Sequence, residues 1–281
     1  MYSVLYKLRQ LFTCRQIFDR CCYSSNGPIL LERRGVGIWD FSCDDVFEMY
    51  QTIRFKAIKP KPIKKIITWN IQELWWHSFT SMKLFNIIDY IRRSDSDVMC
   101  LQEVFDVDTF ISIISCSTIR DKYPYFLTGN MMNRLVIGEN SGLLVLSNQP
   151  ILFRQFTSFE QESWPDRLAS KGALYFTVGK INFIVTHLQS ENVPLAVEQM
   201  SYILDRSPFS DATILLGDLN IPNPFSPLAV RSNNADITHE SGRTLDHIIP
   251  LHGDILFDLS VDYINIKNTS DHYPVCALIS T

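Results

Sequence analysis

The sequence predicts an α/β fold in which two β-sheets lie face to face with helices on their outer sides. One observation is that short apolar runs with the length of buried strands recur from residue 63 onwards. A second is that two segments between these runs have the periodicity of amphipathic helices, as in a layered α/β domain. The third is size, because 281 residues with 46% hydrophobic side chains are enough for one large domain.

The stretch Ala212–Asn220 is the most informative element. Residues 213–216 are apolar or β-branched and predict a buried strand, after which Gly217 permits a tight turn. Asp218 and Asn220 follow with one residue between them, so in extended chain both side chains point to the same side. Open α/β sheets place their chemistry at such strand ends. Taken alone, the pattern equally fits a polar strand terminus before a proline-containing loop.

The other predicted elements repeat this design. Buried strands are expected at residues 66–70, 98–103, 142–147, 172–178 and 181–187, helices at 82–93 and about 195–204, and closing segments at 244–249, 261–266 and 274–279. The ends of these elements carry groups that bind metal or phosphate: Asn70, Glu103, His187, Asp218 with Asn220, Asp246, and Asp271 with His272. Individually, Glu103 also fits a surface acid and His187 a hydrogen-bonded core histidine. Their joint occurrence at consecutive strand ends favours a functional site.

The chemistry of this set favours Mg²⁺. This cation prefers carboxylates, water and substrate phosphate oxygens, and the set is rich in oxygen and poor in imidazole. Zinc is less well matched, because the sequence has no His-rich or Cys-rich spacing. His187 and His272 offer general acid–base groups near neutral pH.

Composition sets further bounds on the class of protein. No apolar run approaches the ~20 residues that span a bilayer. The seven cysteines form no CxxC pair, so we expect free thiols in a reducing intracellular compartment, either the cytoplasm or the periphery of a membrane. Residues 1–65 carry a net charge of +6 and residues 66–281 a net charge of −10. An acidic domain is a poor electrostatic match for a DNA backbone, although a local basic groove is compatible with it.

Residues 1–62 are expected to form an extension to a catalytic domain at 63–281. The boundary is placed at Lys59-Pro-Lys-Pro62, which cannot be helical. Residues 1–22 combine apolar side chains at helical spacing with basic residues, as in an amphipathic helix at a membrane surface or a transit-like leader. A helix docked on the protein itself fits equally well. Cys21-Cys22 is a weak signal for palmitate attachment.

The polar strand ends fall in a fixed order of motifs. These are Trp69-Asn70, Gln102-Glu103, Thr186-His187-Leu188, Gly217-Asp218-Leu219-Asn220, Leu245-Asp246 and Ser270-Asp271-His272. Together they resemble the motifs of the endonuclease/exonuclease/phosphatase (DNase I-like) superfamily over about residues 64–281. The resemblance implies a four-layer α/β sandwich and a Mg²⁺-dependent phosphodiesterase or phosphatase, with Mn²⁺ as a substitute metal.

The same resemblance implies a role for each position. Glu103 would be the principal metal ligand, with Asn70 beside it. His272 would be the general base for water, oriented by Asp271. The phosphate would be oriented and the transition state stabilised by His187, Asp218 and Asn220. Asp246 would support His187.

A narrower resemblance concerns the substrate. The segment Asp166–Leu174 contains an Asp and a Lys five residues apart before Gly-Ala-Leu, and it is similar to a segment of the neutral sphingomyelinases. In that family the Asp–Lys pair is associated with switching the active site, which assigns this role to Asp166 and Lys171. An ordinary loop ion pair is the alternative. Further similar segments are residues 102–105, 123–125 and 140–142. The chain departs from the family's Thr-His-Leu-His, because Gln189 stands at the fourth position.

Three hypotheses follow. The leading one is a sphingomyelinase-like phosphodiesterase that releases phosphocholine from a phospholipid and contacts a membrane through residues 1–22. The second is a nuclease or a tyrosyl-DNA phosphodiesterase-like enzyme, since residues 186–190 and 196–199 slightly resemble that branch and Trp75-Trp76 would stack on bases. The third, a non-catalytic binding module, is disfavoured because no position of the metal and base set is missing.

Overall fold

The structure is a computed structural model that describes residues 61–73, 81–129, 140–164, 166–222, 236–265 and 269–280. The strands within these ranges are Lys65–Glu73 (β1), Val98–Val104 (β2), Tyr125–Thr128 (β3), Leu144–Ser147 (β4), Ile151–Ser158 (β5), Gly172–Val178 (β6), Ile181–His187 (β7), Thr213–Asp218 (β8), Asp246–His252 (β9), Leu256–Val261 (β10) and Val275–Ser280 (β11). The α-helices are Ser81–Arg93 (α1), Val107–Ser115 (α2), Ser117–Lys122 (α3) and Val193–Asp205 (α4). Asp166–Leu168 forms one turn of 3₁₀ helix.

The strands form two mixed sheets. The first has the order β10-β11-β1-β2-β4-β3, and the second has the order β5-β6-β7-β8-β9. Each sheet contains one parallel pair, β1 with β2 and β7 with β8. The other neighbouring strands are antiparallel.

The two sheets pack face to face and are flanked by helices. Apolar side chains from both inner faces share one core cluster, among them Ile66, Val98, Leu174 and Ile214. On the outer face of the first sheet, α1, α2 and α3 bury side chains such as Leu84 and Ile113. On the outer face of the second sheet, α4 buries side chains such as Met200. This order of layers confirms the predicted α/β sandwich of two face-to-face sheets flanked by helices.

Side-chain caps fix where two helices begin. Asp106 accepts a hydrogen bond from the Thr109 N–H at 2.7 Å at the start of α2. Asn192 accepts one from the Leu195 N–H at 3.3 Å at the start of α4, where Pro194 occupies the first turn. Such caps satisfy N–H groups that have no partner within the helix.

Most predicted elements are present, and some strands of the structure were not predicted. The closing segment expected at residues 261–266 begins where β10 (Leu256–Val261) ends, and residues 262–265 leave the sheet. Strand β10 was not predicted, because it is exposed on alternate residues and offers no continuous apolar run. Strand β5 was not predicted for the same reason, since residues 152–155 are exposed on an edge of the second sheet.

Two predictions fall on parts of the chain that the structure does not describe. The extension at residues 1–62 lies outside the described ranges except for its last two residues, and so does Trp75-Trp76. Among the described helices, none combines the length and the hydropathy needed to cross a bilayer. The described cysteines, Cys100, Cys116 and Cys276, are buried free thiols.

Candidate active site

The polar strand ends converge at one edge of the sandwich because of the strand directions. The carboxyl ends of the parallel pairs bring four groups to this edge: Asn70, Glu103, His187 and Asp218. Strands β9 and β11 run antiparallel to β8 and β1, so it is their beginnings that reach the same edge. Asp246 accordingly pairs in register with Asp218, and Asp271 and His272 come just before β11.

Asn70 joins the two sheets within the site. Its Nδ2 donates to Glu103 Oε1 at 2.9 Å and to Asp218 Oδ2 at 3.0 Å, which links β1 to β2 and to β8. Its Oδ1 accepts from the Gln72 N–H at 3.0 Å. The amide therefore turns its nitrogen, not its oxygen, toward the carboxylates. In this arrangement Asn70 orients Glu103, and it would have to rotate to supply the metal-ligating oxygen that the resemblance implied.

The backbone is strained at the functional positions. Glu103 and Asn220 have positive φ angles of 57° and 51°, a region that non-glycine residues rarely occupy. Asn220 is held there by its N–H bond to Asp218 Oδ1 at 3.0 Å and by its Nδ2 bond to the Leu188 carbonyl at 3.1 Å. Outliers of this kind cluster at active sites, where surrounding contacts maintain them.

Glu103 is well placed to bind a cation. Its Oε2 is buried and has no hydrogen-bond partner among the described residues. Burial raises the pKa of Glu103, because the charged form loses its solvation. Glu103, His187 and Asp218 bring ligand atoms within 4.8 Å of one another. Carboxylate oxygens are preferred ligands of hard divalent cations, so these residues fit such an ion.

His272 lies against Asp246 and not against the residue that the resemblance implied. Its Nδ1 is 2.7 Å from Asp246 Oδ2, whereas its Nε2 is 3.6 Å from Asp218 Oδ2 and 3.9 Å from Asp271 Oδ1. The expected support of His187 by Asp246 is therefore corrected, because β9 places Asp246 beside the turn that carries His272. Burial lowers the pKa of His272, but the carboxylates of Asp246 and Asp218 outweigh it and raise the pKa to about 10.

Asp271 is anchored by two residues that the sequence did not single out. Its Oδ2 accepts from Gln72 Nε2 at 2.6 Å and lies 3.4 Å from His239 Nε2. Burial raises the pKa of Asp271, but the hydrogen bond with His239 and the charge of His272 lower it below the usual value. Gln72 lies two residues after Asn70, but the register of β1 with β2 shifts there and the φ angle of Gln72 is 52°, so strand alternation does not predict the direction of its side chain. The sequence did not mark His239 as a site residue, because no apolar run or recognised motif surrounds it.

Lys171 brings a buried ammonium group to the site. Its side chain is 2% exposed, and its Nζ lies 2.7 Å from Asp166 Oδ2, 3.1 Å from the Leu188 carbonyl and 3.0 Å from His187 Nε2. Asp166 is held in turn by the N–H and the hydroxyl of Ser190 at 2.7 and 3.1 Å. The predicted Asp166–Lys171 pair therefore forms, and it lies inside the polar cluster.

His187 is electrically neutral in this environment. Burial, followed by the charges of Lys171 and His272, holds its pKa well below the ordinary value. An ammonium group only donates hydrogen bonds, so His187 Nε2 accepts from Lys171 and the ring proton lies on Nδ1. His187 Nε2 is also 3.5 Å from Asp218 Oδ2 and 3.8 Å from Glu103 Oε1. Lys171 thus contacts the candidate metal and phosphate region through this imidazole.

These groups define a class of protein. Buried carboxylates with an unpartnered oxygen, an imidazole held by a carboxylate and convergent amides are the parts of a metal-assisted hydrolase of phosphate esters. Comparison with known proteins agrees, because residues 67–272 match the Endonuclease/Exonuclease/phosphatase family. The chain belongs to this family and is a metal-dependent phosphoric diester hydrolase, which confirms the predicted enzyme class.

Several solved structures of other proteins are similar to this chain. SmcL has 20% identity and a TM-score of 0.61, with 78% of this chain and 99% of that chain covered. Sphingomyelinase C from Streptomyces griseocarneus has 17% identity and a TM-score of 0.60, with 78% and 100% covered. Truncated Caenorhabditis elegans TDP2 has 17% identity and a TM-score of 0.57, with 78% and 98% covered. At these identities the likeness shows the fold and not the substrate. The comparison with curated protein sequences found no match.

Proposed function

We propose that this hydrolase is a Mg²⁺-dependent phospholipid phosphodiesterase of the sphingomyelinase type, which cleaves sphingomyelin to ceramide and phosphocholine. The observation that carries the proposal is the contact between Lys171 Nζ and His187 Nε2 at 3.0 Å. This contact supports the proposal, because it joins the Asp166–Lys171 pair, the feature that resembles neutral sphingomyelinases, to a histidine of the candidate active site. Mg²⁺ is supported by the hard oxygen donors around Glu103 and by the magnesium ions in a beta toxin from Staphylococcus aureus that shares the fold.

In the proposed reaction, His272 activates the attacking water. Its Nδ1 is engaged by Asp246, so the proton of water would be taken at Nε2, which faces Asp218 and Asp271. The imidazole must be neutral to act as a base. A divalent cation held by Glu103 would favour that form by opposing the carboxylates that raise the pKa of His272.

The remaining groups would bind the phosphate and the charge that develops on it. Asn220 and His187 border the region between Glu103 and Lys171, and fixed dipoles there stabilise a transition state without reorganisation. When bound, Mg²⁺ would supply Lewis acidity toward the phosphate oxygens and the leaving alkoxide. Asp218 is positioned by Asn70 and would orient the water or the phosphate according to its protonation, since burial raises its pKa to about 7.

Lys171 would supply a positive charge that interacts with the phosphate of a bound phosphodiester. In the described arrangement Asp166 neutralises the ammonium. A substrate phosphate near His187 would compete with Asp166 for Lys171, and this competition is the proposed switch. Ser190 favours the state with Asp166 in place, because it donates two hydrogen bonds to that carboxylate.

A substrate panel tests the proposal. Sphingomyelin, a lysophospholipid, an inositol phosphate, single-stranded DNA, double-stranded DNA and a tyrosyl-DNA conjugate would each be incubated with Mg²⁺, with Mn²⁺ and with EDTA. We expect release of phosphocholine from sphingomyelin with Mg²⁺ and none with EDTA. Glu103→Gln serves as the matched inactive protein, which excludes a contaminating hydrolase. Efficient cleavage of a DNA substrate with no action on sphingomyelin would reject the lipid assignment in favour of the nuclease branch.

A further inference from the structure

His239 has no role in the proposed mechanism, yet it contacts two residues of the site. Its Nε2 is 3.4 Å from Asp271 Oδ2, and its ring packs edge-on against the ring of His272 with a centroid distance of 4.5 Å. The side chain is 15% exposed, so it lies at the rim of the cluster and not in the apolar core.

The backbone around His239 is built to hold this position. Residues 239 and 272 form an isolated antiparallel bridge. The Glu240 N–H donates to the Asp271 carbonyl at 2.8 Å, and the Tyr273 N–H donates to the Thr238 carbonyl at 2.8 Å. Thr238 Oγ1 also accepts from the Asp246 N–H at 3.1 Å. The segment therefore joins the start of β9 to the turn that carries Asp271 and His272.

The hydrogen bonds of the ring select one tautomer. The Ser241 N–H donates to His239 Nδ1 at 3.0 Å, so Nδ1 carries a lone pair and the ring proton lies on Nε2. That proton points to Asp271 Oδ2, the oxygen that also accepts from Gln72 Nε2 at 2.6 Å. The Gln72 hydrogen bond and the His239 contact both lie on Oδ2, so Oδ1 is turned toward Ser270 Oγ, 3.5 Å away, and His272 Nε2, 3.9 Å away.

We infer that His239 is a positioning residue, which acts through Asp271 to aim His272 Nε2 and its water. The separation of 3.9 Å between Oδ1 and Nε2 is short enough for one water to hydrogen-bond to both atoms. Without His239, Asp271 keeps a single anchor on Oδ2, and the ring of His272 loses the side chain that packs against it. The catalytic part of this inference rests on the proposed phosphodiesterase function, whereas the positioning of Asp271 does not.

Kinetics on His239→Ala, His239→Gln and His239→Asn provide the first test, with sphingomyelin as substrate. We expect His239→Ala to lower kcat about tenfold with little change in KM, a fraction of the ~10²–10⁴-fold that acid–base groups supply. The amide of Gln extends to the position of Nε2 and should restore part of the loss, whereas Asn is too short and should not. His252→Ala is the matched control, because His252 is an exposed histidine at the end of β9.

A double-mutant cycle decides whether His239 acts through Asp271. If it does, His239→Ala added to Asp271→Asn should lower kcat by less than about twofold beyond Asp271→Asn alone. Fully additive losses would overturn the inference. So would equal activity of His239→Ala and the wild type.

A measurement without substrate separates this inference from the proposed function. The Asp271 carboxyl is titrated by ¹³C NMR in the metal-free wild type and in His239→Ala. We expect its pKa to rise in the variant, because the hydrogen bond with His239 lowers it in the wild type. An unchanged pKa would reject the positioning role. If the wild type cleaves no substrate in the panel, the proposed function fails, and the NMR result still decides whether His239 holds Asp271.

Discussion

At the scale of single residues, the site concentrates negative charge that water does not reach. Asp218 and Asp246 are 1% and 0% exposed, and Glu103 Oε2 has no hydrogen-bond partner among the described residues. Buried charges are costly unless they are paired. Among the described residues, His272 pairs with Asp246 and Asp218, and the charge of Lys171 acts on Glu103 without a direct contact. A divalent cation at Glu103 would complete this neutralisation, which explains why the site requires a metal.

Glu103→Gln should abolish metal-dependent turnover and leave the fold intact. The substitution removes the ligand charge but retains the shape of a side chain that sits at a strand end. Because burial raises the pKa of Glu103, loss of the charge should not lower the midpoint of thermal unfolding. Activity assays with Mg²⁺ and a thermal melt in EDTA check both parts. Glu160→Gln, an exposed acid, is the control. Full activity of Glu103→Gln would remove the central metal assignment.

The Asp246–His272 pair should make stability depend on pH in the alkaline range. The pKa of His272 is raised in the fold from 6.5 to about 10, so the folded state holds the proton more tightly than the unfolded state. The stabilisation is fully present below about pH 6.5 and is lost as pH rises through about 10. Urea unfolding of the metal-free protein across this window should show that decline. Asp246→Asn should flatten it, and an identical slope in both proteins would contradict the assignment.

At the scale of elements, sequence predicts the buried strands better than the exposed ones. The stretches at β6 and β7 were predicted with their observed limits, because each is rich in apolar and β-branched residues and most of its side chains are buried. Strands β5 and β10 were missed, since their side chains are largely exposed and their pairing comes from neighbouring strands. The site residues were predictable as strand ends. Their partners, Asp246 with His272 above all, follow from strand order and direction, which sequence patterns do not specify.

Gly217→Ala should disrupt the junction between β7 and β8. Gly217 has a φ angle of 141°, and a Cβ there would lie 1.9 Å from the Thr186 carbonyl oxygen. The strands would have to separate, which moves Asp218 away from its register partner His187. We expect a loss of at least about 2 kcal/mol in unfolding free energy, with activity falling further than stability explains. Gly242→Ala is a control for positive φ alone, since φ is 80° and a Cβ there has no neighbour within 4 Å. Equal effects of both substitutions would refute the packing argument.

The loop from β5 to β6 should control the response to a lipid phosphodiester. It carries Asp166, and it is tied to the end of β7 by Gln189, whose Oε1 accepts from the Ser163 N–H at 2.8 Å. Lys171→Ala should lower sphingomyelin hydrolysis at least tenfold, on the scale of ~1.4 kcal/mol, since the phosphate loses its nearby cation. Asp166→Ala should also alter the rate, because Lys171 loses its alternative partner. Cleavage of DNA, if any is measured, should respond far less to either change.

A matched control separates the role of Lys171 from the effect of removing any positive charge from the domain. Lys180 is exposed in the turn between β6 and β7, away from the site, so Lys180→Ala should leave sphingomyelin hydrolysis unchanged. If Lys171→Ala and Lys180→Ala have the same activity, Lys171 has no part in the reaction and the resemblance to neutral sphingomyelinases loses its functional meaning.

At the scale of the whole molecule, charge separates the chain into two parts. Residues 66–281 carry a net −10 and contain all of the candidate site, whereas residues 1–65 carry a net +6. An acidic catalytic domain is repelled by an anionic lipid surface. Salt screens this repulsion beyond about 8–10 Å at physiological ionic strength. A basic segment elsewhere in the chain would offset that repulsion and keep the domain near its substrate.

Removal of residues 1–22 should therefore weaken binding to anionic vesicles and flatten its salt dependence, while turnover of a soluble substrate stays the same. The segment combines apolar side chains at helical spacing with Lys7, Arg9, Arg15 and Arg20, the composition of a helix that lies in the membrane interface. Vesicle sedimentation at increasing salt measures the effect. A full-length variant with these four basic residues changed to Gln retains the apolar positions, so it should lose most of the salt dependence but only part of the binding. If the truncated protein misfolds by circular dichroism while the Gln variant binds vesicles as the wild type does, the segment docks on the protein itself and the membrane contact is refuted.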